Sequence, residues 1–481
     1  MCIPHRSLRH SFEKCRPLWD SAQDALSEHW SLFSGPGVDV RAIWFAMSHA
    51  LACPSAAMPR VALEKKEAAR VEERIYRQLA GQPIGQSFWR TGVEQHPLSS
   101  TMEDVQYARM VFISANISFL AKESDECVES WTNAVAKEIS DQKPVFAAVH
   151  LQGLHRVEND SAFLDSLTRA LYRHKDLTMF DAVREIYDLD SLGICSVYFV
   201  SSAAKPMLFD YKNRSYKPVD GNYTDSHLRS PNIDHERLGK VDDDPVGFMM
   251  TRWMLFDKPF DFVNLVLNGE RSLLDSCTKW PSEGGEARQK FLNQILNKME
   301  TYIHEDAMIF AGYFNLSIDL SRLIKDQLFM HKAVIQENNR NNVINAFDLS
   351  NRKLFTINDN EFNFYENHNW LFGTCNGQLI RKYDTEMKHY VGDRLFEPNV
   401  FFPPTDFYVP NSSEVENNYA LHFSTTNSPG WRSRIVMNDR LRDRIQHDSF
   451  SSSSLYYGLV GEFEYISQSK PVTLIATIWL K

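Results

Sequence analysis

From Met110 to its end the chain alternates short apolar runs with helix-length amphipathic stretches, and this alternation confines it to folds that stack sheets against helices. Val111 to Phe119 reads as a strand. Val128, Trp131, Val135 and Ile139 fall on one helical face, and Val145 to Leu151, entered through Pro144, is too short for a helix and too apolar for an exposed loop. Strand, helix, strand is therefore the opening unit. Phe163, Leu164, Leu167 and Leu171 mark the next helix, and strands are expected at Ile194 to Val200, Gly247 to Phe256, Phe260 to Leu267, Met308 to Tyr313, Ser433 to Met437 and Val472 to Trp479. Phe291, Ile295, Met299 and Ile303 place a helix between two of them. Hairpin-length gaps between some strands and helices between others require mixed sheets. Two packed mixed sheets flanked by helices, a four-layer α/β sandwich, satisfy the pattern.

Residues 1–105 lack this alternation and read as a partly helical N-terminal extension. Their one periodic stretch is Val61 to Leu79, where Ala68, Val71, Ile75 and Leu79 form an apolar stripe too short to establish a coiled coil. Residues 106–481 form the main domain, interrupted at about 336–376 by an Asn-dense insert of weak periodicity, expected to be loops and short elements.

Charge narrows the function classes. The chain carries 52 Lys+Arg against 62 Asp+Glu, a formal net charge of −10, which argues against broad attraction to nucleic acid or an anionic membrane and leaves room for a local basic pocket. Seven cysteines lie far apart with no C-x-x-C pair, so neither a disulfide framework nor a zinc ribbon is expected. His150, His155, Asp225 and His227 likewise lack zinc-ligand spacing. With no apolar run long enough to span a bilayer and no secretory signal at Met1 to Arg6, a cytoplasmic protein is the expectation.

Three clusters carry the chemistry: Ala311-Gly312-Tyr313-Phe314-Asn315 closing a strand, Ser428-Pro429-Gly430-Trp431-Arg432-Ser433-Arg434-Ile435, and Ser467-Gln468-Ser469-Lys470-Pro471-Val472 before the last strand. In this order they resemble the endonuclease/exonuclease/phosphatase superfamily, and within it the inositol polyphosphate 5-phosphatases, whose signatures read G-D-x-N, P-x-W-C-D-R and D-H-x-P-V. Further stretches are similar to the type I members: Ile113 to Ile117 ending a strand on Asn116, Ala148 to Gly153 against A-L-H-C-Q-E, Phe248 to Trp253, Phe260 to Leu265, and Phe401 to Pro404. The resemblance covers roughly residues 106–481.

The resemblance implies a Mg²⁺-dependent phosphoric monoester hydrolase, in which a carboxylate holds the metal, a His/Asp pair orients charge, and an Asp with an Asn positions water. This chain departs from that pattern at six ionisable positions. Gly153 stands for the metal-binding Glu, Tyr313 for the Asp of G-D-x-N, and Ser433 for the Asp of W-C-D-R. Gln468 and Ser469 replace the Asp-His pair, and Val266 replaces the His of N-x-H-L. Asn116, Asn315, Arg252, Arg434 and Lys470 remain, with Trp431 read as core. The expected protein is thus a pseudophosphatase with no intact catalytic set and no metal. Its Arg252, Arg434 and Lys470 are candidates for holding an inositol phosphate or phosphoinositide head group.

Alternatives stay open. Asn116 and Asn315 can instead close buried hydrogen bonds at strand ends, and Arg434 and Lys470 can be solvated charges. Glu158, Asp160, Asp319, Glu462 or Glu464 can have taken over metal binding, which would leave an active Mg²⁺-dependent 5-phosphatase acting on inositol 1,4,5-trisphosphate. A protein-interaction module without a small ligand is the third reading. The chain ends Ile478-Trp479-Leu480-Lys481, without the C-a-a-X box of type I relatives, so no prenyl anchor is expected.

Overall fold

In the computed structural model of the chain, the strand Tyr107–Asn116 (β1) is buried on both faces, with Met110 and Phe112 in one apolar cluster and Val111 and Ile113 in another. Successive side chains point to opposite sides of a sheet, so such a strand lies inside a stack of layers. Two units divide the chain, Met1–Leu98 and Ser99–Lys481. The structure describes residues 107–226, 230–241, 244–267, 272–338, 343–410, 422–445, 454–462 and 464–480. The helix expected at Val61 to Leu79 lies outside the described residues, with the rest of the extension through residue 105.

The remaining strands, in chain order, are β2 Phe146–Gln152, β3 Ala182–Asp188, β4 Ile194–Val200, β5 Met207–Asp210, β6 Ser215–Pro218, β7 Tyr223–Ser226, β8 Ile233–Val241, β9 Asp244–Leu255, β10 Lys258–Val266, β11 Ala307–Tyr313, β12 Val334–Asn338, β13 Val343–Phe347, β14 Lys353–Asn358, β15 Glu361–Asn363, β16 Tyr408–Val409, β17 His422–Phe423, β18 Ser433–Met437, β19 Leu455–Leu459 and β20 Val472–Trp479. One seven-stranded sheet has the order β19-β20-β1-β2-β4-β3-β7; the other runs β18-β11-β10-β9-β5-β6, with β8 also paired to β9. Each has a central parallel pair, β1/β2 and β10/β11, flanked by antiparallel neighbours, and the first sheet ends in a second parallel pair, β3/β7.

Phe112, Phe146, Tyr198, Trp253, Phe262, Ile309, Ile435 and Leu474 pack between the sheets. Outside the first sheet, Trp131, Val135 and Ile139 of helix Asp125–Gln142 and Leu164, Leu167 and Leu171 of helix Asp160–Tyr172 cover Val111, Ala147 and Val197. Outside the second, Leu292, Ile295 and Leu296 of helix Glu283–Lys298 cover Phe248, Val263 and Phe310. The result is the four-layer α/β sandwich. Ser124 and Ser282 start two of these helices by accepting the backbone N–H of Cys127 and Gly285, satisfying orphan donors of the first turn.

The structure sharpens the sequence reading in two places. β1 ends at Asn116, where Ile117 to Phe119 turn into the short helix Leu120–Lys122, so the apolar run outlasts the strand. In the Asn-dense insert the short elements are strands: β12 to β15 form a four-stranded antiparallel meander. Its periodicity is weak because β14 buries Leu354, Phe355, Thr356 and Ile357 in succession, on both faces, which erases alternation.

Candidate functional site

The parallel pairs bring their C-terminal ends to one pole. Gln152, the last residue of β2, donates from Nε2 to Asn264 Oδ1 near the end of β10 at 2.9 Å, and Asn264 Nδ2 donates to the carbonyls of Cys195 (2.9 Å) and Leu151 (3.3 Å). Just beyond β11, the backbone N–H groups of Phe314 and Asn315 donate to the Arg432 carbonyl at 2.9 and 3.1 Å. Asn116, Gly153, Tyr313, Asn315, Ser433 and Ser469 all sit at strand ends or loops of this pole.

Its first corner is closed by a glycine. Gly153 has φ +85°, and a Cβ added there would lie 2.3 Å from Asn116 Oδ1 and 2.9 Å from Ser118 Cβ. Asn116 Oδ1 is held in place by the Ser118 N–H at 3.1 Å. The space in which a side chain at this position would begin is thus occupied, and the backbone adopts a left-handed conformation that suits glycine.

A buried acid that the motifs did not nominate holds the second corner. Asp406 is fully buried; Ser469 Oγ donates to its Oδ1 at 2.6 Å and the Tyr313 hydroxyl to its Oδ2 at 3.1 Å. Loss of hydration pushes its carboxyl up to about 6, against the pull of the nearby Arg432 guanidinium. Arg432, in the Cys position of W-C-D-R, donates to Asn315 Oδ1 and lies 4.9 Å above the Phe407 ring. Phe407 in turn packs edge-on against Phe119 beyond β1, at 5.7 Å between ring centroids, which ties the two corners together. Thr405 Oγ1 donates to the Gly430 carbonyl (3.2 Å) and accepts the Arg432 N–H (2.9 Å). Asn116, Tyr313, Asn315, Asp406, Arg432 and Ser469 are each no more than 7% exposed.

The other nominated positions are structural in their contacts. Val266 is core, in register with Tyr313. Ser433 is buried with its hydroxyl unpartnered, and Gln468 supplies its carbonyl to the Tyr408 N–H at 2.9 Å.

None of the three candidate cations stands open at the pole. Arg252 projects from the outer side of β9, paired with both oxygens of Asp261 at 2.8 Å, with Asp306 at 2.8 Å, and stacked 4.7 Å from the Tyr302 ring. Arg434 is wholly buried, reaching Asp384 at 2.6 Å, Glu397 at 2.9 Å and the Trp431 carbonyl at 2.6 Å. Lys470 donates to the carbonyls of Gly461 (2.9 Å) and Glu462 (2.8 Å), and burial lowers its ammonium to about 7. A sequence shows a cation without showing its partners: Arg252 and Arg434 draw theirs partly from segments 37 to 54 residues away, and Lys470 from the loop just before it.

The alternative acids do not gather at the pole either. Asp319 caps helix Leu320–His331 through the Arg322 N–H, and Glu462 accepts from Asn376. Among the described residues no group of three or more His, Cys, Asp or Glu is arranged to hold a metal ion, and no helix is long and apolar enough to cross a membrane.

Comparison with known proteins follows the motif reading. No family model matches the chain. Inositol polyphosphate-5-phosphatase A of Homo sapiens and of Rattus norvegicus are each 24% identical over 398 residues, covering 76% of this chain and 92% of theirs. A probable type I inositol 1,4,5-trisphosphate 5-phosphatase of Caenorhabditis elegans is 24% identical over 388 residues, covering 69% and 91%. Among solved structures, the inositol polyphosphate 5-phosphatase domain of a synaptojanin, crystallised with inositol (1,4)-bisphosphate and calcium ion, aligns at TM-score 0.44 and 12% identity over 78% of this chain and 85% of that one.

Proposed function

We propose that this chain, a relative of the type I inositol polyphosphate 5-phosphatases, keeps their fold without their hydrolytic chemistry and acts as a non-catalytic, scaffolding member of inositol phosphate and phosphoinositide signalling. The observation that carries the reading is the filled corner at Gly153, where Asn116 Oδ1 lies 2.3 Å from where a side chain would start. The donor set at the pole does not fit Mg²⁺, a hard cation that needs several oxygen ligands with charge. Asp406 has both carboxylate oxygens engaged by hydrogen bonds from Tyr313 and Ser469, and burial raises its carboxyl above the ordinary carboxylate range.

Head-group recognition by Arg252, Arg434 or Lys470 is disfavoured on the same grounds. Each is already engaged, and freeing Arg434 from Asp384 and Glu397 would leave two acids poorly compensated in the interior. Calorimetric titration of the full chain with Mg²⁺ in the presence of inositol 1,4,5-trisphosphate tests the reading. No saturable Mg²⁺ binding is expected; binding that disappears in Asp406→Asn would return the chain to the active class.

A further inference from the structure

Four of the most exposed apolar side chains among the described residues lie on neighbouring elements away from the pole. Phe329 is 86% exposed, Leu349 76%, Val334 62% and Met330 58%. Their elements meet: Phe329 and Met330 end helix Leu320–His331, the Ala333 N–H returns to the Leu328 carbonyl, and β12 then begins at Val334. Val334 pairs with Phe347, which pairs with Lys353, so the starts of β12 and β14 and the end of β13 share one edge of the meander. Leu349 projects from the tight turn between β13 and β14, where Asp348 accepts the N–H groups of Ser350 and Arg352. The fields of Arg352 and Asp348 both reach His331, which places the turn beside the helix end. Helix Leu320–His331 starts near the pole and, at about 1.5 Å per residue, carries the cluster roughly 18 Å from its own start.

The surroundings indicate what covers these side chains. Residues 329–334 and 347–353 contain Lys332, Arg352 and Lys353 against the single acid Asp348, whose carboxylate is already used by the turn and by Arg352. Lys332, Arg352 and Lys353 are all exposed. A chain of net charge −10 thus sets a local excess of positive charge around its most exposed apolar tips. Single scattered hydrophobics on a surface need no explanation, whereas a contiguous group does. Phe329 and Leu349 protrude from a helix end and a turn tip, a form suited to entering a soft interface. The flanking cations match an anionic one.

We propose that this edge is a peripheral membrane-docking surface, in which Phe329, Met330, Val334 and Leu349 enter the headgroup–acyl boundary of an anionic bilayer while Lys332, Arg352 and Lys353 face its headgroups. The surface does not depend on whether the pole hydrolyses phosphate, and no spanning segment is involved.

The test is sedimentation of the full chain with vesicles of phosphatidylcholine alone and of phosphatidylcholine with about one-third phosphatidylserine, at low and high salt. Binding is expected to the second composition only and to weaken with salt. Phe329→Ser/Leu349→Ser should reduce it about tenfold or more, and Lys332→Ala and Lys353→Ala by roughly fivefold each. These positions are solvent-exposed, so an unchanged thermal transition confirms that the variants fold. Failure to bind the phosphatidylserine vesicles, or equal binding by wild type and the Phe329/Leu349 variant, overturns the proposal. Concentration-dependent self-association lost in the same variant, without vesicle binding, would also overturn it and assign the edge to contact between copies of the chain.

Discussion

Gly153 and Asn116 exclude a side chain between them: a Cβ on the first would fall 2.3 Å from the amide oxygen of the second. Asn116 is not free to swing aside without giving up the Ser118 N–H that anchors it at 3.1 Å. The end of β1 and the end of β2 therefore close on each other at Gly153.

Introducing an acid at Gly153 should consequently destabilise the fold without adding activity. Gly153→Glu must force a residue with a Cβ into φ +85° and displace Asn116, so a loss of about 2 kcal/mol or more in unfolding free energy is expected. Denaturant melts should show the midpoint fall, and phosphate-release assays should show no gain. A variant as stable as wild type would mean that the corner has room.

Asp406 makes the pole sensitive to pH in a defined direction. Its folded-state value, pushed up to about 6 by burial, lies above the ordinary 3.8, so the folded chain binds more protons than the unfolded one between those values. Its contribution is complete below about pH 4 and is lost as pH rises through about 6, amounting to at most about 3 kcal/mol. Arg432, Ser469, Tyr313 and Thr405 are the groups that face it. Asp406→Asn should remove this part of the slope, read as the wild type minus variant difference in denaturant midpoint at pH 4, 5, 6 and 7. Parallel profiles for the two proteins would contradict the assignment.

The buried ion cluster should behave as structure. Arg434→Leu leaves Asp384 and Glu397 sharing Arg381 as their nearest remaining cation, and a loss of about 3–5 kcal/mol is expected. Arg252→Leu should be comparably damaging, because it strands Asp261, which is fully buried. Equilibrium unfolding of both variants checks this. If either folds with wild-type stability and loses only affinity for an inositol phosphate, the cation belongs to a binding site after all.

Much of the fold was legible because the central strands are short, apolar and bounded by clear breaks. Ile194 to Val200, Ser433 to Met437 and Val472 to Trp479 have the same limits in sequence and structure. Strands at the sheet margins escaped: β6 is Ser215–Pro218, with little apolar content, and its strand character comes from pairing with β5. At the pole, the resemblance nominated Gly153, Val266, Tyr313, Ser433, Gln468 and Ser469 by position, whereas the contacts those residues make could not be read from the sequence. Asp406 belongs to no motif; its one signal is that it follows the matched Phe401 to Pro404 stretch by two residues. The partners of Arg434 lie 50 residues away at Asp384 and 37 away at Glu397, a separation that hides compensation from any local reading.

The most direct measurement is phosphate release from inositol 1,4,5-trisphosphate by the purified full chain, with and without Mg²⁺, beside Asp406→Asn as a control for contaminating phosphatase. No release above the buffer rate, and none that separates wild type from the variant, is the predicted result. Turnover that requires Mg²⁺ and vanishes with Asp406→Asn would contradict the account, because it would show that one buried carboxylate and its neighbours rebuild a site whose donor set is unsuited to the metal.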